Sequence, residues 1–208
     1  MKIAIFGGTG KTGLHLVQQA LDAGDEVVAL ARTVSKLTIS HQHLKIVQGD
    51  ILDTAGIEQT IQGVDTVVSL LGPKDNKPTF TISQGTAHIL SAMKKHNVRR
   101  IIVVAGAGVR DPNDKPKLID HFFGLLLSVL SKNAVADMKR AIDLVRQSDL
   151  DWTVVRVPML TDQPRQDSLK IGYVGDITTR LSRADMAAFV LKQVRDKTYI
   201  GKAPAISN

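Results

Sequence analysis

The chain has 208 residues, 43% of them hydrophobic, which is enough to bury one sizeable core and too apolar for a disordered chain. It contains no cysteine, which excludes disulfides, thiolate metal sites and a cysteine nucleophile and fits an expected cytoplasmic location. The formal charge of +7 raises nucleic acid as a partner, but the basic residues are scattered and only 4% of residues are aromatic, so that reading ranks last.

In chain order, MKIAIFGG lacks the basic start, long apolar run and cleavage site of a signal peptide. Residues 2–6 form a short apolar run that stops at glycines and predicts a buried strand. Residues 11–23 carry Leu14, Val17 and Leu21 at helical spacing and stop at Gly24, a common helix terminator. Strands are then predicted at 26–31, 44–47, 66–71, 100–104 and 152–156, and helices at 54–61, 81–96, 134–147 and 182–194. Ser182 is the expected N-cap of the last helix, with Asp185 completing a capping-box variant. Residues 122–130 (FFGLLLSVL) are too few to span a bilayer, so no membrane partner is expected. They read as a buried segment, with a pocket wall or a subunit contact as alternatives.

Strands alternating with helices imply parallel pairing through right-handed crossovers. The expected fold is α/β: one Rossmann-type domain over residues 1–208, a doubly wound parallel sheet with helices on both faces. Ligands of such sheets bind at the carboxyl ends of the strands, near the point where strand order reverses. The irregular segments 111–133 and 157–181 follow the fifth and sixth strands and are expected to form the substrate side.

The strongest motif is Gly7-Gly8-Thr9-Gly10-Lys11-Thr12-Gly13, between the first strand and first helix. Gly7 permits the tight turn, Gly10 lets the backbone approach a pyrophosphate, and Gly13 lets the helix pack close to the sheet. The helix N-terminus offers N–H groups and its positive dipole end to phosphate, and Thr12 adds a hydroxyl. An NAD site places an acidic residue after strand two. Here that place holds Arg32, with Lys36 one turn later. A guanidinium there suits a 2′-phosphate, so the expected cofactor is NADP(H) rather than NAD(H). Asp50 is placed to accept from the adenine amino group, with Ile51 against the ring. Asp50 starting a turn ahead of a helix capped at Asp53 is the other reading, and both can hold. Leu71 and Gly72 close strand four, Gly72 allowing backbone approach to the ribose and pyrophosphate.

The catalytic side is marked by what is missing. Many reductases of this architecture use Tyr-x-x-x-Lys, in which lysine lowers the tyrosine pKa. Here Tyr173 is followed by Ile177 and Tyr199 by Ala203. Strand five runs into Ala105-Gly106-Ala107-Gly108, where a catalytic serine would normally stand. The proton must then come from solvent or another group. His41 and His43 suggest a metal pair without a third ligand; a polar loop is the simpler reading, and no metal site is expected. His121 lies in the substrate-side segment. Lys139 could reach the nicotinamide side, or belong to an exposed helix face. Lys94, Lys95, His96, Arg99 and Arg100 cluster at the edge opposite the cofactor side and read as a solvated helix end. Lys11, Arg32, Lys36, Lys74 and Lys77 fall in cofactor-side loops, where an anionic dinucleotide accounts for them without nucleic acid.

The segments IAIFGGTGKTG, ARxxSKL, QGDILD, VVSLLG, SDLDWTVVRVPMLTDQP and LSRADMAAFVL together resemble the NmrA-like group of atypical short-chain dehydrogenases. Within it, the chain is most similar to the biliverdin-IXβ/flavin reductase family. The resemblance implies NADPH bound across the strand ends and a shallow pocket in which flavin or a tetrapyrrole stacks on the nicotinamide. Gly7, Thr9, Gly10, Lys11, Thr12, Gly13, Arg32, Asp50, Ile51, Leu71 and Gly72 fall on the family's cofactor-binding pattern. Val157, Pro158, Met159 and Leu160 fall on its loop beside the nicotinamide. The chain departs from the family at Gly106, where a serine is usual, and at Met159, where mammalian members carry histidine. Those changes weigh against biliverdin more than against flavin, because hydride transfer to flavin needs mainly stacking and proximity. The expected activity is NADPH-dependent reduction of a small planar acceptor such as FMN, with Met159, His121 and Lys139 as catalytic candidates. A non-catalytic NADP(H) sensor that binds a partner protein is the second reading. Monomer and homodimer both stay open.

Overall fold

Side chains alternate across the first strand: Ile3 and Ile5 join one core, Ala4 and Phe6 the other, and all four are buried. A strand buried on both faces needs helices on both sides of its sheet. The computed structural model, which describes residues 1–73, 75–116, 130–166 and 168–208, has that arrangement. Its elements are β1 (Lys2–Phe6), α1 (Lys11–Asp22), β2 (Glu26–Ala31), a 3₁₀ turn (Val34–Lys36), β3 (Leu44–Gln48), α2 (Thr54–Ile61) and β4 (Thr66–Ser69). They continue with α3 (Thr81–Lys95), β5 (Arg100–Gly106), α4 (Lys132–Arg146), β6 (Asp151–Val157), β7 (Met159–Thr161), β8 (Lys170–Gly172), β9 (Arg180–Ser182), α5 (Arg183–Gln193) and β10 (Ala205–Ser207).

The main sheet has the order β3-β2-β1-β4-β5-β6-β10-β8. It is parallel except where β8 runs against β10. Strand order reverses between β1 and β4, so the chain ends of these two strands open the crevice expected of a doubly wound fold. Leu16, Val17, Met186 and Phe189 from α1 and α5 pack on one face. Ile57, Ile89, Met93 and Ile142 from α2, α3 and α4 pack on the other.

The short strands β7 to β10 have no counterpart in the sequence prediction. Each has three residues, too few for a period-2 pattern to register. β4 stops at Ser69, earlier than predicted, which leaves Leu70 and Leu71 to line the crevice. The capping box expected at α5 is absent. Ser182 does precede the helix, but its hydroxyl donates to the Gln163 carbonyl (2.8 Å) and its N–H to Asn208 Oδ1 (2.6 Å). Asp185 instead accepts from the Gln166 N–H at 2.9 Å and the Asn208 amide at 3.1 Å. The basic cluster is also more than a solvated helix end. Arg100 is partly buried and donates to the Asp151 carbonyl (2.7 Å), the Gln193 carbonyl (2.7 Å) and Thr153 Oγ1 (2.9 Å). Lys95 pairs with Glu58 at 2.7 Å.

The starts of α3 and α4 are both capped by distant residues: α3 by a residue of α4, and α4 by the loop ahead of α3. Phe80, ahead of α3, is left-handed (φ 51°) and offers no capping side chain. The buried Asp137 of α4 supplies one, accepting from the N–H groups of Ile82 (2.9 Å) and Ser83 (2.8 Å). In return, Asn76 Oδ1 accepts from the N–H groups of Asn133 (2.9 Å) and Ala134 (3.2 Å) at the start of α4. Orphan donors at both helix ends are thus satisfied by long-range partners. His121, Lys74 and all but the last residue of 122–130 lie outside the described residues. Among the described residues, no helix is long and apolar enough to cross a membrane.

Candidate dinucleotide site

The turn after β1 is built for close approach. Gly7 has φ +85°, and a Cβ there would sit 2.9 Å from the Leu70 carbonyl oxygen. At Gly13 a Cβ would lie 2.2 Å from the Gly7 carbonyl oxygen and 2.7 Å from Gly8 backbone atoms. No side chain fits there, so α1 starts directly against the turn. The first intrahelical bond runs from the Leu14 N–H to the Gly10 carbonyl at 2.9 Å. The N–H groups of Lys11, Thr12 and Gly13 therefore precede the helical ladder, at the positive end of the helix dipole. A Cβ at Gly10 would touch only the Gly7 carbonyl oxygen, at 3.4 Å, leaving room above it for a ligand.

Two cavities meet over this turn, sharing Gly7, Leu71, Gly72 and Pro73. The first, about 400 Å³, lies over the ends of β1 and β2 and is lined by Thr9, Leu30, Arg32, Gly49, Ile51 and, at its outer end, Lys77, Thr81 and Asp137. The second, about 470 Å³, extends towards β5 and β6 and is lined by Gly10, Lys11, Thr12, Gly13, Val104, Gly106, Met138, Val157, Leu160, Arg183 and Met186. Together they form a trough across the strand ends, with the glycine turn at its centre. Its shape fits an extended dinucleotide with the pyrophosphate in the middle.

Most sequence-predicted site residues converge here: Gly7, Thr9, Gly10, Lys11, Thr12, Gly13, Arg32, Ile51, Leu71, Gly72, Gly106 and Val157 line the trough. Arg32 stands half-exposed at its rim, 3.6 Å from Asp50. Asp50 itself is not a lining residue; its Oδ1 accepts from the Leu52 N–H at 3.0 Å, and Asp53 caps α2 by accepting from the Ala55 N–H at 3.1 Å. The turn reading of Asp50 thus holds. Lys36 is exposed in the 3₁₀ turn, away from the lining. Pro158 and Met159 do not line the trough. Met159 is 60% exposed, whereas its neighbours Val157 and Leu160 face in. Lys139 is likewise exposed, and Asp137 and Met138 take the inward places.

Residues that sequence reasoning missed follow helical spacing. Ala134, Asp137, Met138 and Ala141 form one buried stripe on α4, and Arg183 and Met186 lie three apart at the start of α5. Reading the stripe with period 3.6 would have picked Met138 over Lys139. The tyrosines are spent elsewhere: Tyr173 packs under the Arg156 guanidinium (5.8 Å), and Tyr199 against Phe189 (6.0 Å). His41 and His43 form a local contact, the His43 N–H donating to His41 Nδ1 at 3.1 Å.

The loop after β5 is anchored from below. Arg156, on β6, is fully buried and makes a two-pronged pair with Asp114 at 2.7 and 2.8 Å. It also donates to the carbonyls of Ala203 (2.8 Å) and Val109 (3.1 Å). Burial pushes the Asp114 carboxyl up, but the Arg156 bonds and the N–H groups of Asp111 and Val174 outweigh it and hold it below the usual range.

Comparison with known proteins agrees with this geometry. YwnB of Bacillus subtilis is 28% identical over 207 residues, covering 93% of this chain and 92% of that protein. Oxidoreductase ptaF of Pestalotiopsis fici is 25% identical over 215 residues, covering 94% and 79%. Three other curated relatives are longer, the chain spanning 57–61% of them. Among solved structures, a short-chain dehydrogenase/reductase of Veillonella parvula in complex with NADP superposes with a TM-score of 0.82 at 18% identity, covering 100% of this chain and 94% of that one. ChuY, an anaerobillin reductase of Escherichia coli, superposes with a TM-score of 0.79 at 18% identity, covering 100% and 97%. Residues 7–197 match the family described as NAD(P)H-binding. With a glycine turn, open helix N-terminus and trough all inside that span, the chain belongs to the NAD(P)H-binding family of Rossmann proteins.

Proposed function

We propose that this protein is an NADPH-dependent reductase that passes hydride to a small planar acceptor, a flavin such as FMN. The observation that carries the reading is the lining of the second cavity. Val104, Met138, Val157, Leu160 and Met186 make it largely apolar, and no tyrosine, serine or histidine stands among its described lining residues. Such a wall suits a flat ring that stacks. The oxidoreductase name of ptaF and the reductase name of ChuY support the same class, and the likeness to the biliverdin-IXβ/flavin reductase family supports the acceptor.

In this reading the N–H groups of α1 and Lys11 hold the pyrophosphate, and Thr12 donates to it. Arg32, with Lys36 behind it, takes the 2′-phosphate as a planar fork of donors. Leu30 and Ile51 flank the adenine, and Asp50 holds the turn beside them. Gly72 admits the ribose, and Gly106, Val157 and Leu160 bound the nicotinamide. NADPH, when bound, supplies the hydride. The acceptor takes those two electrons and one proton from solvent, so NADPH, acceptor and proton become NADP⁺ and reduced acceptor. The acceptor side is assigned to the described parts of segments 111–133 and 157–181.

The test is NADPH consumption, followed by nicotinamide absorbance, with FMN, riboflavin, biliverdin and quinones. Turnover with FMN or riboflavin is expected. Tight NADP(H) binding without reduction of any acceptor would overturn the reductase reading in favour of a dinucleotide sensor.

A further inference from the structure

Three charges close the second cavity. Lys11, the first residue of α1, and Arg183, the first residue of α5, both line it. One carboxylate holds both: Asp162 Oδ2 lies 3.1 Å from Lys11 Nζ, and Oδ1 lies 2.6 Å from Arg183 Nη1. The carboxylate is 62% exposed and the guanidinium only 20%, so the acid sits on the outside and the arginine in the wall. The start of α5 is also tied to the C-terminal half of α1 by Gln19, whose amide donates to the Ala184 carbonyl at 3.1 Å. The backbone beyond Asp162 has its own anchors, Ser182 to Gln163 (2.8 Å) and Gln166 to Asp185 (2.9 Å). The Asp162 side chain can therefore leave without moving the main chain.

A solvent-exposed carboxylate is a weak partner for a cation. A pyrophosphate at the same place is doubly charged and also gains the N–H groups of α1. We propose that Arg183 is a further cofactor-binding residue and that Asp162 is its place-holder: the incoming pyrophosphate takes Lys11 and Arg183 over from Asp162. This rests on the NADP(H) reading above. The cations are held ready in the free protein, and the carboxylate competes with the cofactor for them. The contact is to the pyrophosphate, so it does not distinguish NADPH from NADH.

The test is titration of the intact protein with NADPH and with NADH at low ionic strength, for wild type, Asp162→Asn, Arg183→Ala and Arg183→Lys, with thermal melts alongside. Asp162→Asn should bind about 2- to 5-fold tighter, since it removes the competitor. Arg183→Ala should bind both nucleotides about 10-fold more weakly, and Arg183→Lys should fall between. In a double variant carrying Asp162→Asn and Arg183→Ala, the gain from Asp162→Asn should shrink. An unchanged or weaker Asp162→Asn, or an Arg183→Ala that binds as wild type, overturns the exchange and leaves the dinucleotide site standing. Should Arg183→Ala fail to fold, Asp162→Asn and Arg183→Lys decide. A wild type that binds neither nucleotide overturns both.

Discussion

Two parts of the trough are built by different means. The part around the turn after β1, at the centre of the trough, is made by main chain: glycines at 7 and 13, a short turn and the first turn of α1. The half beyond β5 is held by side chains from distant parts of the chain. Arg156 reaches Asp114 across 42 residues, Ser182 reaches Asn208 across 26, and Gln166 reaches Asp185 across 19. The first part is a fixed cradle set by local backbone geometry. The second depends on a few partly buried polar links, which is where substitutions should separate stability from nucleotide binding.

The largest expected effect is in the second half. Asp114→Ala leaves Arg156 buried without its carboxylate and should cost about 3–5 kcal/mol of stability by urea denaturation. NADPH affinity of the folded fraction should change little, because neither residue lines the trough. The same pair sets an acid response. The Asp114 carboxyl is held below its ordinary value, so its stabilising contribution is full above the unfolded carboxyl range and is lost as pH falls through the folded value. Acid unfolding below about pH 4 should therefore flatten in Asp114→Asn. An unaltered acid limb in that variant would place the response in other carboxylates.

Next comes the cap that α4 provides for α3. Asp137→Ala removes the acceptor for two N–H groups of α3 and should destabilise by about 1.5–3 kcal/mol. Hydrogen exchange should show the loss at the start of α3 first. A loss spread evenly over the sheet would argue against the cap.

In the cradle, Gly13→Ala should cost about 1–3 kcal/mol and weaken NADPH binding, because its methyl would run into the backbone of Gly7 and Gly8. Gly106→Ala, with nothing within 4 Å of the added carbon, should stay within about 0.5 kcal/mol of wild type. If thermal melts rank these two the other way, the division between cradle and side-chain-held half is wrong.

The same division explains what the sequence revealed. The glycine motif, Arg32 and the six parallel strands are local patterns, and their alternation with helices implies the parallel pairing but not the strand order. Strands β7 to β10 are too short to carry a period. The Arg156–Asp114 pair, the Asp137 cap and the Asp162 bridge join residues with no local relation, so no pattern along the chain pairs them. One signal was present and unused: Arg156 stands inside the apolar run Trp152-Thr153-Val154-Val155-Arg156-Val157, and a charge there requires a buried partner. At the site, Met159 and Lys139 were chosen by family position and chemistry. Strand and helix phase instead turned Leu160 and Met138 inward.

The central claim is an NADP(H) site read by Arg32, and calorimetric titration of wild type and Arg32→Ala with NADPH and NADH tests it most directly. Wild type should prefer NADPH. Arg32→Ala should weaken NADPH by about 10- to 100-fold, the value of one charge-assisted bond to the 2′-phosphate, and leave NADH nearly unchanged. Equal losses for both nucleotides, or a wild type that prefers NADH, would contradict the assignment.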